Sequence, residues 1–208
     1  MRKKPNIDKR LGKCFNIIEK PEELRGKWKE KYGFERICVE IGCGKGRFIT
    51  ENAKLDPDTL FIGIERERNV IVMAAEKAIA AEIKNVIFLD FDAAEICNVF
   101  ANGEISGIYL NFSDPWPKKK QAKRRLTHGD FLAKYDTVLS DDGFIFFKTD
   151  NTKLFEFSLN SMSEYGLKLC NITFDLAASG IDNVVTEYEA RFMEQGMNIY
   201  RVEAYKRK

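Results

Sequence analysis

The sequence has few of the side chains that most often bind metals or form nucleophile–base pairs. Its 208 residues include one histidine, His128, and five cysteines at positions 14, 38, 43, 97 and 170, with no Cys-x-x-Cys spacing. These features argue against a zinc site and a disulfide framework, so we predict reduced thiols and no bound metal. His128 precedes an apolar segment, which predicts a residue at the start of a helix rather than a catalytic base.

The sequence also lacks long apolar runs and a large excess of one charge. No stretch approaches the roughly 18 apolar residues needed to cross a membrane, and the N-terminal MRKKP does not open a signal peptide. The formal net charge is only +2, from 34 basic and 32 acidic residues, so nucleic-acid binding would have to come from local clusters. We therefore predict a cytoplasmic protein without membrane contact.

Apolar strands alternate with helical segments along most of the chain. Strands are predicted at residues 37–41, 60–64, 85–89, 106–112 and 144–148, with two late strands at 167–174 and 197–205. Helices are predicted at residues 21–32, 45–55, 69–83, 93–100, 129–139 and 153–165, and the DDG run at 141–143 predicts a turn. This alternation predicts an α/β fold with a doubly wound, mostly parallel, seven-stranded sheet and helices on both faces.

The chain divides by composition into two parts. Residues 1–35 are rich in lysine and arginine, which predicts either a solvated arm with a first helix or a basic arm that faces phosphates. Residues 36–208 show no linker, and a chain of 208 residues is about one domain long. We predict a basic arm or helix at 1–35 and a single domain at 36–208.

A glycine-rich turn follows the first predicted strand. Residues 40–46 read EIGCGKG, so Gly42, Gly44 and Gly46 come within one short turn. Glycines let a backbone turn sharply and approach a ligand closely. The third glycine arrives one residue earlier than in the dinucleotide fingerprint, and a plain strand-to-helix turn remains an alternative.

Acidic residues follow the first three strands, where ligands bind in doubly wound sheets. Glu65 lies 19 residues after Gly46, a spacing typical of an acid that accepts ribose hydroxyls, and Asp92 could meet an adenine amine. Glu40, beside the glycine turn, would repel a pyrophosphate but attract the cationic amino-acid end of S-adenosylmethionine. Any one of these acids could be an ordinary exposed strand-end carboxylate, but together they predict a crevice for a ribose and an adenine.

A stiff loop and a basic run follow the fourth strand. Residues 111–117 read NFSDPWP, in which two prolines restrict the backbone and Trp116 offers a flat face for a base, unless it is buried in a rigid turn. Six basic residues follow within eight positions, at 118, 119, 120, 123, 124 and 125. Their position beside the predicted crevice favours phosphate contacts over a merely solvated charge run. The later TEYE at residues 186–189 indicates little alone.

Taken together, these motifs resemble the bacterial tRNA (guanine-N7-)-methyltransferases, within the class I S-adenosylmethionine-dependent methyltransferases. The resemblance runs from about residue 20 to the C-terminus and rests on EIGCGKG, NFSDPWPKK, KRRL at 123–126 and TEYE. It implies a Rossmann-like sheet whose last strand is antiparallel, and methyl transfer to N7 of the guanosine at position 46 in the tRNA variable loop. At residues 120–121 the chain reads KQ where similar proteins often read RH, which leaves the local RNA contact open.

The resemblance also implies roles for particular residues. The S-adenosylmethionine site, which would release S-adenosylhomocysteine, takes in Glu40, Gly42, Gly44, Gly46, Glu65, Asp92 and Asp114. The residues that would meet the substrate guanosine are Lys118, Asp150, Thr186, Glu187, Tyr188 and Glu189. The implied RNA contacts are Lys120, Gln121, Ala122, Lys123, Arg124 and Arg125.

The chemistry of guanine N7 makes Asp114 the predicted catalytic residue. N7 carries an in-plane lone pair and no proton, so alignment and electrostatics matter more than a general base, and a carboxylate could stabilise the cationic product ring. One alternative is a methyltransferase for adenine or protein amines, although Trp116 stands where those enzymes have a second proline. Another is a non-catalytic RNA-binding module, which would not need the strand-end acids. The chain could be a monomer or a homodimer.

Overall fold

A seven-stranded sheet forms the centre of the computed structural model, which describes residues 6–207. The strands are β1 (Arg36–Ile41), β2 (Thr59–Ile64), β3 (Val86–Leu89), β4 (Ile105–Asn111), β5 (Leu139–Thr149), β6 (Lys168–Thr173) and β7 (Tyr200–Tyr205). Their order is β3-β2-β1-β4-β5-β7-β6. The pairs among β1 to β5 are parallel, whereas β7 runs antiparallel to both β5 and β6. The predicted doubly wound sheet with an antiparallel last strand is confirmed.

Helices cover both faces of the sheet, as predicted. They are α1 (Ile7–Leu11), α2 (Trp28–Tyr32), α3 (Arg47–Leu55), α4 (Arg68–Ala80), α5 (Ile96–Val99), α6 (Gly129–Val138), α7 (Thr152–Tyr165) and α8 (Glu187–Glu194). Because strand side chains alternate in direction, Val39 packs in a core with α2, α5, α6 and α7, while Cys38 packs with α1, α3 and α4. Within residues 6–207 no helix combines the length and apolarity that a membrane span requires.

Three local predictions are corrected. The helix predicted at 21–32 is a 3-10 turn, Pro21–Leu24, followed by α2, because Gly26 takes a positive φ of 76° between them. The turn predicted at 141–143 is wrong, since these residues belong to β5, whose pairing with β4 shifts register between Ile105 and Gly107. The segment between the two late strands, for which no helix is predicted from the sequence, contains α8.

The described part of the N-terminal region, residues 6–35, packs against the rest of the chain. Arg10 of α1 forms two hydrogen bonds with Glu76 of α4, at 2.8 and 2.6 Å. Ile17 forms a parallel bridge with Phe88 at the outer edge of β3. The basic residues at positions 2–4 lie outside the described residues, and the division of the chain at residue 35 stays a prediction.

Candidate functional site

The turn between β1 and α3 borders open space at the carboxyl edge of the sheet. Gly42, Gly44 and Gly46 have φ values of 78°, 56° and 76°, a region that other residues rarely adopt. A Cβ at Gly46 would lie 2.8 Å from the Cβ of Ala74, so this glycine allows α4 to approach closely. A Cβ at Gly42 or Gly44 would meet no atom of residues 6–207 within 4 Å. Gly44 and Gly46 therefore have different roles in this turn: Gly46 allows close packing against α4, whereas Gly44 leaves room for a ligand.

Glu40 is a buried carboxylate with one unused oxygen. Asn111 Nδ2 donates to its Oε1 at 2.9 Å, whereas Oε2 is buried without a hydrogen-bond partner among the described residues. Burial raises the pKa of Glu40 to about 8, against the opposing effects of the Asn111 hydrogen bond and the charge of Lys148. A cationic ligand group would supply the missing partner and favour the ionised form. The predicted attraction of Glu40 for a cation thus has a structural basis in this orphaned oxygen.

Glu65 and Asp92 follow the neighbouring strands β2 and β3, so they lie at the same edge of the sheet as Glu40. Glu65 Oε2 accepts the backbone N–H of Gly44 at 3.2 Å, and Oε1 accepts that of Glu67 at 2.9 Å. Asp92 accepts from Ala94 N at 2.9 Å and from Arg66 at 3.1 Å. A carboxylate oxygen can accept two hydrogen bonds, which leaves both groups able to bind ligand donors.

The loop after β4 is held by a side chain from the basic run. Arg125 donates to the carbonyls of Pro115 and Trp116, at 3.0 and 3.1 Å. Phe112 and Trp116 take positive φ values of 51° and 41°, which cost energy for residues other than glycine. Asp114 lies between them and is exposed. Rigidity here therefore comes from Arg125 as well as from the two prolines that the sequence analysis identified.

The basic residues after this loop have two orientations. Residues Lys119–Arg124 form a 3-10 turn whose lysines and Arg124 are exposed, as is Lys118, while Gln121 and Ala122 are partly buried. The guanidinium of Arg124 lies 4.2 Å from the centroid of the Trp116 ring, so it occupies a face on which a base was predicted to stack. Arg125 turns inward over the ring of Phe157, at 4.3 Å. The predicted RNA contacts of residues 120–125 stay predictions.

The TEYE residues form the start of α8 beside the β4 loop. Thr186 and Glu189 make a capping box, in which the Thr186 hydroxyl accepts Glu189 N at 2.9 Å. Tyr188 is exposed and stacks on Phe112, with centroids 6.3 Å apart, and Phe192 lies 5.8 Å from Phe112. Tertiary packing therefore brings together two motifs that are far apart in the sequence.

A buried ion pair behind α8 was missed by the sequence analysis. Lys148 Nζ, near the end of β5, donates to Glu189 Oε2 at 2.8 Å, and both side chains are less than a twentieth exposed. Burial lowers the pKa of Lys148, and the charge of Glu189 opposes that shift. The signal available in the sequence was a lone lysine directly after the apolar run Phe144 to Phe147. Asp150, two residues further on, is half-buried at the same edge.

The sheet order and the acidic crevice at its carboxyl edge define a Rossmann-like methyltransferase. The family model described as "Putative methyltransferase" matches residues 35–202. Among solved structures, an antibiotic-related methyltransferase superposes with a TM-score of 0.64 at 18% identity, covering 86% of this chain and 92% of that one. The 16S rRNA methyltransferase KamB gives a TM-score of 0.65 at 11% identity, covering 88% and 94%. These likenesses establish the fold.

Full-length relatives define the family more narrowly. The tRNA (guanine-N(7)-)-methyltransferase of Geobacillus kaustophilus is 53% identical over 190 residues, which cover 90% of this chain and 88% of the relative. That of Bacillus licheniformis is 49% identical over 207 residues, covering 98% and 97%. The chain belongs to the tRNA (guanine-N(7)-)-methyltransferase family. The predicted family membership, and with it the prediction of an enzyme, is confirmed.

Proposed function

We propose that this chain transfers the methyl group of S-adenosylmethionine to N7 of the guanosine at position 46 in the tRNA variable loop. The products are 7-methylguanosine in the tRNA and S-adenosylhomocysteine. The observation that carries the proposal is the position of Glu40, Glu65, Asp92 and Asp114 at or just after the carboxyl ends of four neighbouring strands, with the exposed basic turn Lys119–Arg124 following the last of them. The names of the full-length relatives point to the same reaction.

The acids and glycines are placed to bind the separate groups of S-adenosylmethionine. When bound, this cofactor would supply a methyl group from its sulfonium, which leaves as a neutral thioether. Glu40 would bind the ammonium of the amino-acid end with its unpartnered oxygen. Glu65 would accept the ribose hydroxyls with its remaining lone pairs, and Asp92 an adenine amine. Gly42 and Gly44 leave the backbone accessible along the same crevice, because nothing fills the space that a Cβ would take there.

Asp114 is the proposed catalytic residue. Guanine N7 has a lone pair and no proton, so no side chain needs to act as a base. The ring becomes cationic as the methyl group arrives, and a fixed carboxylate held by the β4 loop would stabilise that charge. The proposed reaction therefore needs no histidine, and His128 caps α6 by accepting Asp130 N at 3.1 Å.

The RNA would lie across the loop, α8 and the basic turn. Lys118, Asp150 and residues 186–189 are the proposed guanosine contacts, and the exposed Lys120, Lys123 and Arg124 the proposed phosphate contacts. Because tRNA is the proposed substrate, we also propose a cytoplasmic location. Both a monomer and a homodimer are compatible with this arrangement.

The direct test is analysis of the nucleosides in tRNA incubated with the protein and methyl-labelled S-adenosylmethionine. We expect the label in 7-methylguanosine, and we expect it to be lost with Glu65→Ala as the matched control. Label in N6-methyladenosine or in protein would favour the amine-directed alternative. Cofactor and RNA binding without any label would favour a non-catalytic module.

A further inference from the structure

Lys148 is a buried charged residue to which the proposed mechanism gives no task. It lies near the end of β5, directly after four apolar residues, and only 3% of it is exposed. Removing an ammonium from water costs several kcal/mol unless its partners compensate. The positions of those partners therefore indicate what the lysine does.

All three hydrogen bonds of the ammonium go to the segment that leads into α8. Besides Glu189 Oε2 at 2.8 Å, Lys148 Nζ donates to Asn183 Oδ1 at 2.8 Å and to the carbonyl of Val184 at 3.1 Å. An ammonium has three donors, so its capacity is fully used by residues 183–189. Glu189 is also bound by Asn183 Nδ2 and by Thr186 N. Lys148 thus fixes the start of α8 to the end of β5.

The same lysine also faces the cofactor side of the crevice. Its Nζ lies 4.8 Å from the centroid of Phe48 in α3, the helix that follows the glycine turn. On the sheet, Lys148 pairs in register with Asn111, and Asn111 donates to Glu40. A short chain of contacts therefore connects Glu189 on the nucleobase side with Glu40 on the cofactor side.

The charges around Lys148 leave it between two carboxylates. Glu40 and Glu189 both attract it, while the neighbouring Arg201 is paired with Glu203 at 2.7 Å and Glu187 with Lys77 at 3.1 Å. Replacing Lys148 with an apolar residue would leave Glu189 buried without its cation. Because Glu189 anchors the capping box of α8, its displacement would move the whole segment that we assign to the guanosine.

We propose that Lys148 is a positioning residue for methyl transfer, which holds Glu189 and the start of α8 in register with the cofactor crevice. This inference rests on the proposed function, because it takes residues 186–189 as guanosine contacts. Misplacement of a bound group by about 1 Å costs roughly 10²-fold in rate, so alignment alone gives a large effect. Cofactor affinity should change less than the rate, because the hydrogen bonds of Lys148 go to Asn183, Val184 and Glu189 and not to the acids of the cofactor side.

The experiment compares Lys148→Met, Lys148→Arg and Glu189→Gln with the control Lys206→Met. Lys206, a partly buried lysine directly after β7, donates to the carbonyls of Asp136 and Leu139 at 2.8 and 3.1 Å, so its ammonium lies by the start of β5 rather than by its end. Calorimetry measures the affinities for S-adenosylmethionine and tRNA. Single-turnover methylation with both substrates saturating measures the rate, and hydrogen exchange measures the protection of residues 183–194.

We expect Lys148→Met to lower the single-turnover rate roughly 10²-fold and to speed exchange in residues 183–194, with both affinities within about threefold of wild type. Lys148→Arg should recover part of the rate, and Lys206→Met should keep it. Lys148→Met should lower the rate much less when Glu189→Gln is already present, because the two residues act as one unit. The proposal would be overturned by a wild-type rate for Lys148→Met. It would also be overturned if Lys148→Met lowered the rate by the same factor with and without Glu189→Gln.

A second variant keeps the test decisive if Lys148→Met does not fold. Asn183→Ala removes one acceptor of the ammonium at an exposed position, and we expect a roughly tenfold loss of rate without a change in the thermal midpoint. An unchanged rate in Asn183→Ala would overturn the proposal. Failure of the wild-type protein to form 7-methylguanosine would instead reject the proposed function itself.

Discussion

The cofactor side and the nucleobase side of the crevice are built differently. On the cofactor side, Glu65 and Asp92 each accept a backbone N–H from two residues further on, and longer-range bonds such as Asn111 with Glu40 stay within the neighbouring strands β1 to β4 and the turns after them. On the nucleobase side, contacts such as Lys148 with Glu189 and Phe112 with Tyr188 join distant parts of the chain. The cofactor side therefore depends on the pairing of β1 to β4, while the nucleobase side depends on the packing of β5 and α8.

We expect the largest effect on the methyl-transfer rate at Asp114, which lies on the loop between the two sides. Asp114→Asn keeps the size of the side chain but removes its charge, so the single-turnover rate should fall by roughly 10²–10³, the scale for one preorganised electrostatic group. The affinity for tRNA should change far less, because the basic residues supply most of it. A wild-type rate at saturation would reduce Asp114 to a residue that shapes the loop.

Glu65 should affect the cofactor side alone. Loss of two charge-assisted hydrogen bonds to the ribose hydroxyls in Glu65→Ala should weaken S-adenosylmethionine binding by on the order of 2–4 kcal/mol, measured by calorimetry. Glu65→Gln is the matched control, since its amide oxygen can still accept the N–H of Gly44. Unchanged cofactor affinity in Glu65→Ala, or an equal loss of tRNA affinity, would contradict the separation of the two sides.

The basic turn should affect RNA binding through charge. Changing Lys120, Lys123 and Arg124 to Ala should lower the slope of log affinity against log salt by about 2–3, because roughly 0.7–0.9 counterions are released per phosphate contact. The thermal midpoint should barely move, since all three are exposed. An unchanged slope would mean that the turn is only solvated.

Arg125→Ala offers the contrast within the same basic run. Its bonds to Pro115 and Trp116 hold the β4 loop, so we expect a loss of about 1–2 kcal/mol in the free energy of unfolding, measured by urea denaturation. Its effect on the salt slope should be smaller than that of an exposed lysine such as Lys123. If Arg125→Ala instead lowered the salt slope by about one unit without a loss of stability, Arg125 would be a phosphate contact.

Glu40 should make stability depend on pH. Its pKa is raised by burial from 4.5 to about 8, so between these values the folded protein binds a proton that the unfolded chain has lost. This contribution is present at low pH and declines as pH rises, by at most about 1.4 kcal/mol per pH unit. Urea denaturation at pH 5 and pH 8 should therefore show a smaller decline for Glu40→Gln than for wild type. Equal declines would mean that Glu40 is ionised throughout.

The same contrast explains what the sequence could predict. The alternation of strands with helices and the acids at strand ends follow from patterns within a few residues, so the type of sheet and the candidate positions Glu40, Glu65 and Asp92 were predictable. The ion pair of Lys148 with Glu189 was not, because no local pattern joins residues in β5 and α8. The prediction of a turn at 141–143 failed for a similar reason, since these residues form an irregular part of β5 where the register against β4 shifts.

The position of the transferred methyl group tests the proposed function most directly. The decisive measurement uses two tRNA transcripts, one with guanosine and one with adenosine at position 46, followed by chemical cleavage at 7-methylguanosine. We predict cleavage at position 46 in the first transcript and none in the second. Cleavage at another guanosine, or equal methyl incorporation into both transcripts, would contradict the proposed function.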